Sequence, residues 1–481
     1  MEWFVAEDYW LGRLLFQRSL AVLYVVAFLS AANQFRALLG SDGLLPIPRY
    51  LARVSWRQAP SLFHLHYSDR FFAVIAWSGV VLAAGVAAGA ADVVPWPVAM
   101  AMWLLLWALY LSIVNVGQRW YSFGWESLLC EAGFLATFLG NARVGPPVAV
   151  LVLLRWLLFR LEFGAGLIKI RGDSCWRNLT CLYYHHETQP MPGPLSWWFH
   201  HLPKPLHRAE VAANHVTQLL VPFGLFAPQP VSGICAGVMI VTQLWLVASG
   251  NFSWLNWSAI VLALPVLPDA FLDGFLGGFL GAALPAHTGA GAAPVAFVVV
   301  VLAVAALMVV LAWWPARNLL SRAQLMNASF NKFHLGNTYG AFGSVTRVRH
   351  EIVIEGTSDE EDGPDTVWLE YEFKGKPGDV RRLPRQFAPY HLRLDWLMWF
   401  AALSRTYADR WFLALVVKLL ANDKQVLKLL RHNPFPDAPP AQLRAVFYRY
   451  RFTTWSEWRA TGAWWHRTRI GEYLPPVRST S

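Results

Sequence analysis

One run of residues limits this chain more than any other. From Pro294 to Trp314 it carries Val, Ala and Leu without a charge, and it ends at Trp313-Trp314-Pro315. About 20 residues of helix cross a hydrocarbon core about 30 Å thick. Aromatic residues followed by a helix breaker suit the membrane–water boundary. Comparable blocks lie at 14–35, 71–91, 98–116, 148–170, 231–248 and 252–267, and shorter or polar-interrupted ones at 125–139, 215–226 and 271–284. Together they predict about nine or ten crossings. Hydrophobic residues make up 56% of the 481 positions and charged residues 15%, with a mean hydropathy of +0.36; soluble chains carry roughly a quarter charged residues. The first apolar run is too long for a signal-peptide core and no A-x-A site follows it, so the first helix is expected to stay in the membrane.

Composition changes at Pro315-Ala316-Arg317. Residues 1–315 are therefore read as a multi-pass helical domain, and residues 316–481 as a membrane-associated α+β domain facing water. Residues 346–355 and 366–373 alternate polar with β-branched or aromatic side chains, which is strand periodicity; the acidic stretch 358–365 between them reads as a hairpin turn. Residues 390–404 and 407–421 read as Trp-rich helices apolar enough to lie against the membrane surface or the helical domain, 443–453 as a strand, and the Trp- and Arg-dense tail as either amphipathic and interfacial or packed on the transmembrane part.

The net charge is +10. No basic run interleaves with a recognition motif, so no nucleic-acid partner is expected. Charge instead flanks the apolar blocks: Arg36, Arg49, Arg53, Arg57 and Arg70 lie in one long loop, and Arg171, Arg177, Lys204 and Arg208 in another. The positive-inside rule would make both loops cytoplasmic. Cys130 and Cys235 sit in apolar segments as packing residues. Cys175 and Cys181 would pair if their loop faces an oxidising compartment.

Ionisable side chains at membrane depth are costly and face the protein interior. Arg155, Glu162 and Lys169 are seven apart and predict one charged stripe on a helix, with Gly166 on the same stripe. Arg160 faces elsewhere, and Gln118, Glu126 and Glu131 form a second polar segment whose acids are placed to neutralise Arg155 or Arg160. Three readings stay open: an ion-pair network fixing helix register, a polar cavity in which Lys169 acts as a base, or side chains reaching the interface. The loop holding Trp176, His185, His186, Glu187 and Gln189 is rich in histidine, as are positions 200, 201, 207 and 215. No H-x-x-x-H or H-E-x-x-H spacing with further ligands occurs, and adjacent helical histidines point about 100° apart, so no metal is expected.

At these residues the chain resembles the lipase maturation factor family. The resemblance rests on Gly117-Gln118 through Tyr121, Trp125-Glu126 and Glu131, on Arg155-Trp156 and Lys169 with Cys175-Trp176, on His186-Glu187-Thr-Gln189-Pro190, and on Gly250-Asn251 with Asn256. In the tail it includes Asn337 with Tyr339-Gly340, and Arg393-Leu-Asp395-Trp396. It implies a multi-pass protein which in animals resides in the endoplasmic reticulum and helps dimeric lipases reach their active fold, its tail domain lumenal and touching the client. Tyr339, Arg393, Asp395, Trp396, Trp455 and Trp458 become client-contact candidates, with the bilayer and a secreted lipase-like client as partners and no cofactor. The membrane domain is also distantly similar to vitamin K-dependent carboxylase-type domains, where a Lys after a glycine-containing helix is the base; Gly166-Leu-Ile-Lys169 matches that, which keeps an intramembrane enzyme as the alternative. A transporter is disfavoured because no inverted repeat is visible. The Arg-rich, Lys-poor composition and short tail point to a bacterial source and thus an inner-membrane location, as opposed to the endoplasmic reticulum of a eukaryote. Nine crossings from a cytoplasmic N-terminus would put the tail outside, ten would leave it in the cytosol.

Overall fold

The computed structural model describes residues 3–280, 293–361 and 363–478. The principal helices are α1 (Trp10–Leu38), α2 (Asp69–Ala87), α3 (Trp96–Val116), α4 (Gly124–Ala136), α5 (Val148–Arg171), α6 (Leu182–Thr188), α7 (Lys204–Leu219), α8 (Val231–Ser249), α9 (Leu255–Ala263), α10 (Asp269–Leu280) and α11 (Val295–Leu311). Of these, α1, α2, α3 and α8, and α11 together with the helical turns that continue it to Leu320, are each long and apolar enough to cross a membrane. At 24 residues α5 has the length as well, but it carries the charged stripe.

Connections gather at two ends. At the first end Ala6 N donates to Pro146 O (2.9 Å), Asn141 Nδ2 to Val94 O (2.9 Å) and Gln229 Nε2 to Val266 O (2.9 Å), while Asp269 accepts from Trp10 N. At the second, Asn115 Nδ2 donates to Pro60 O and Lys332 O, Gln189 Nε2 to Ser249 O, and Arg171 to Leu319 O. Among the described residues the chain passes nine times between these ends, through α1, α2, α3, α4, α5, α7 with its following turn, α8, α9 with its following turn, and α11. The expected spans at 125–139, 215–226 and 252–267 therefore fold as shorter passes. Their ends are hydrogen-bonded to the protein, so they need not match the bilayer with apolar length alone. α10 stays at the N-terminal end; residues 281–284 of the block expected at 271–284 lie outside the described residues, as does residue 362 of the acidic turn.

Beyond α11 the chain becomes α+β. A four-stranded antiparallel sheet has the order β2-β1-β5-β6, with β1 Arg349–Thr357, β2 Leu369–Glu370, β5 Gln442–Phe452 and β6 Trp465–Arg478; β3 (Glu372–Phe373) pairs with β4 (Leu430–His432). The β1–β5 register sets Val353 opposite Val446. Helix α12 (Arg393–Leu403) packs against β1, followed by α13 (Trp411–Leu420) and α14 (Trp455–Thr461). The strand expected at 366–373 is two short pieces, and the tail contains α14 and the 14-residue β6 and packs its Trp458 and Trp464 on Trp197, in the loop before α7. Thr454 and Glu457 close a capping box that starts α14, satisfying N–H groups that a short helix otherwise leaves open.

Candidate functional site

The acids of α4 each find one arginine. Arg160 Nη2 lies 2.5 Å from Glu131 Oε1, and its Nη1 donates to Asn337 O at 2.5 Å. Glu131 Oε2 then accepts from Asn337 N, Asn337 Nδ2 and Tyr339 Oη. Glu126 Oε1 accepts from Arg393 at 2.6 Å, and Tyr110 Oη donates to Glu126. The same arginine donates to Trp120 O and stands 3.5 Å from the Tyr121 ring centroid. Gln34 of α1 completes the joint, donating to His391 O and accepting from Arg393 N. Both pairs are buried and further hydrogen-bonded, the condition under which a desolvated ion pair holds. Each joins the helical bundle to the segment after α11.

Tyr339, Arg393, Asp395 and Trp396 are thus buried at this joint, at 3% exposure or less. They are not available as client contacts in this conformation. Of the two placements expected for this Trp-rich helix, membrane surface or helical domain, the structure shows the second: the bundle covers one face of α12 and the sheet the other. Asp395 Oδ1 accepts from Gly375 N, and burial pushes its carboxyl up to about 6. Trp455 is 44% exposed, and Trp458 is half-buried against Trp197.

The α5 stripe divides. Arg155 and Lys169 are 14 residues apart, about 21 Å along a helix. Arg155 lies toward the N-terminal end of the bundle, where it donates to Leu225 O and lies over the Tyr9 ring; it meets no acid of α4. Glu162 and Lys169 are bridged. Lys169 Nζ donates to Asn214 Oδ1 (2.8 Å) and Gln218 Oε1 (2.9 Å), Gln218 Nε2 to Glu162 Oε2 (3.1 Å), Gln243 Nε2 to Glu162 Oε1 (2.6 Å), and Asn256 Nδ2 to Gln243 Oε1 (2.6 Å). A Cβ on Gly166 would stand 2.9 Å from Gln218 Cβ, so the glycine is what lets α7 come close enough for this chain.

The bridged residues line a cavity of about 810 Å³ between bundle and C-terminal domain, within the usual range for small-molecule sites. Trp125, Trp396 and Phe400 supply apolar wall, and Arg119, Leu325, Met326 and Tyr407 line its exposed parts. Its polar side chains hydrogen-bond one another across α5, α7, α8 and α9. Those bonds tie the four helices to one another.

The loop between α5 and α7 forms the remaining junction. Asp173 pairs with Arg347 at 2.7 Å, whose hydrogen bond holds the carboxyl down to about 2. Trp176 Nε1 donates to Phe342 O, and Cys175 is disulfide-bonded to Cys181 beside Val345. His185 packs against Phe252 and Phe342, and burial pushes its imidazole down to about 3. Glu187 Oε2 accepts from Phe452 N at 2.7 Å, while Gln189 Nε2 donates to Ser196 Oγ and Ser249 O. Gln118, by contrast, donates within the helical domain, to Leu45 O in the loop after α1.

Several junction residues escaped the sequence reading. Arg349 donates to Glu187 O and Gln189 O and pairs with Glu351 at 2.6 Å, and Glu351 also meets Lys376 at 3.0 Å; burial pushes the Lys376 amine down to about 8 against the pull of Glu351. Asn251 accepts from Phe387 N and Ala388 N and donates to Arg385 O. Charges at inward positions of β1 were the available signal for the first group. Asn251 stood within a quoted motif but gave no sign of its partners.

Family models match this chain twice: the lipase maturation factor transmembrane domain over residues 11–274, and the lipase maturation factor C-terminal domain over residues 335–475. The chain is 42% identical to lipase maturation factor 1 of Bos taurus, over 98% of this chain and 90% of the bovine one, and 42% identical to that of Mus musculus, over 98% and 88%. To lipase maturation factor 2 of Homo sapiens it is 28% identical, over 97% and 82%. No solved structure matches.

Proposed function

Because the chain belongs to the lipase maturation factor family, we propose that it is a membrane-embedded maturation factor that helps secreted lipases assemble, its C-terminal domain held on the non-cytosolic side. Residues 1–315 act as the scaffold and residues 316–481 as the part that meets the client. The observation carrying this reading is that the Cys175–Cys181 disulfide packs against residues 342–347 of the segment leading into the domain. Disulfides persist in oxidising compartments, so loop and domain share the side on which secreted proteins fold. That side is the periplasmic face of an inner membrane or the lumenal face of the endoplasmic reticulum. The client then touches exposed apolar groups of the domain, of which Trp455 is one.

The test is co-expression with a secreted lipase, reading active lipase per unit of lipase antigen. Trp455→Ala is expected to lower the specific activity at least threefold, while Lys169→Ala leaves most of it, because Lys169 is bridged within the bundle. Loss with Lys169→Ala at unchanged protein level, and none with Trp455→Ala, would overturn the assignment.

A further inference from the structure

Where α6 of the histidine-rich loop meets α7, three side chains form a group to which the proposed maturation function assigns no part. We propose that His186, His207 and Glu210 hold a divalent transition-metal ion, with zinc as the ion whose ligand chemistry fits best. His207 and Glu210 are three apart on α7 and share a face. His186 reaches them from α6, and one ligand atom from each lies within 4.8 Å of the others.

The hydrogen bonding points to a ligand independently of that proximity. His186 is 1% exposed, yet neither ring nitrogen has a hydrogen-bond partner among the described residues. Buried polar atoms are nearly always partnered, and an orphan calls for an ion or an ordered water. His207 is 2% exposed and places Nε2 3.3 Å from His200 O, leaving Nδ1 without a partner. Glu210 accepts from Trp245 Nε1 on one oxygen, Oε1, at 2.7 Å. This is the support that metal ligands receive: the imidazole donates its second N–H to a carbonyl, and the carboxylate is held on one oxygen with the other free. Two imidazoles and a carboxylate suit zinc and its neighbours and not magnesium or calcium. Four-coordinate zinc with bonds of about 2.0–2.2 Å brings donors roughly 3.3 Å apart, so binding would draw these donors closer together than the 4.8 Å within which they now lie. A fourth position is left for water.

An ion here would pin α6 to α7 beside Glu187, the residue that accepts from Phe452 N of β5. Metal occupancy would thereby set how firmly the C-terminal sheet sits on the bundle. None of this depends on the identity of the client.

The test begins with the full chain, purified in detergent through a tag without histidine and without chelators, and its metal content measured by mass spectrometry. We expect close to one zinc per chain in the wild type and in His334→Ala, a histidine bonded to Ser127 and Asn115 outside the group, and at least a fivefold loss in His186→Ala and Glu210→Gln. Chelation should lower the melting temperature of the wild type and leave that of His186→Ala unchanged. Should the variants not fold, cobalt added to metal-free wild type decides: visible d–d absorption without a thiolate charge-transfer band is the expected spectrum. Wild type that takes up neither zinc nor cobalt, a thiolate band, or full metal content in both variants overturns the proposal and leaves a buried water as the partner of His186.

Discussion

Glu126 and Arg393 are 267 residues apart in sequence and 2.6 Å apart in the fold. Neither side chain is exposed, so deleting one leaves the other charged and without its counter-ion. Such a deletion typically costs about 3–5 kcal/mol. Arg393→Ala should therefore destabilise the protein by about that much in denaturant melts in detergent, and limited proteolysis should cut it earlier between the bundle and α12. A change below about 1 kcal/mol would mean that the pair does not hold the joint. Asp395, two residues along, gives a prediction in pH. Its carboxyl is raised to about 6 in the fold, against an unfolded value near 3.9, so the folded state holds the proton more tightly. The stability this contributes is complete below about pH 4 and is lost as pH rises through about 6, a total of about 3 kcal/mol. Asp395→Asn keeps an acceptor for Gly375 N and should flatten that part of the stability profile; an unchanged slope between pH 4 and 6 would assign it to other groups.

At the scale of elements, what could be read in advance depended on how many neighbours an element needed. α11 was legible because an uncharged apolar run needs only the bilayer to explain it. β1 and β5 were legible from alternation, to within three residues at their ends. β6 was not: its Arg467 and Arg469 and the Pro475-Pro476 step hide the strand period, and its pairing with β5 shifts register three times. Glu162 and Lys169 stood out as charges in an apolar helix, but Gln218 as their bridge lies on a helix 49 residues beyond Lys169. For the same reason Arg393, Asp395 and Trp396 read as client-contact candidates, while they are buried between two elements. His186, His207 and Glu210 did not read as a group, because the decisive spacing runs between α6 and α7. The loop that carries α6 yields its own prediction. Cys175 and Cys181 close a short ring, for which chain entropy gives about 2 kcal/mol. Cys175→Ser should lower the melting temperature under non-reducing conditions. A reductant should lower it by the same amount in the wild type and leave the variant unmoved; equal sensitivity of both would place the effect elsewhere.

For the molecule as a whole, nine passes among the described residues put the N-terminus at one end of the bundle and the α+β domain at the other. Charge counting and the disulfide then disagree about which end is cytoplasmic. Both long basic loops lie at the domain's end, since Lys332 donates to Arg57 O, Lys418 pairs with Asp42, and Arg347 with Asp173. Yet two arginines of the second loop are taken up as donors within the protein: Arg171 to Leu319 O and Ser321 O ahead of the domain, and Arg177 to Ile170 O and Gly172 O of its own loop. Charges satisfied in this way suit packing of the domain as well as they suit retention in the cytosol. The opposite end is not free of positive charge, since Arg13, Arg18 and Arg143 lie there beside Asp92 and Val93. A disulfide, by contrast, persists in oxidising compartments and is rare in the cytosol, and the proposed orientation follows it. In a bacterial host, alkaline phosphatase fused after residue 478 should therefore be active, and a fluorescent protein that matures only in the cytosol should glow when fused before residue 3. A cysteine introduced at Trp455 should react with a membrane-impermeant maleimide in intact spheroplasts, whereas one at Val93, which is 71% exposed at the other end, should react only after lysis. The inverse pattern at both positions would put the domain in the cytosol, where the Cys175–Cys181 pair would stay reduced and a secreted lipase would be out of its reach.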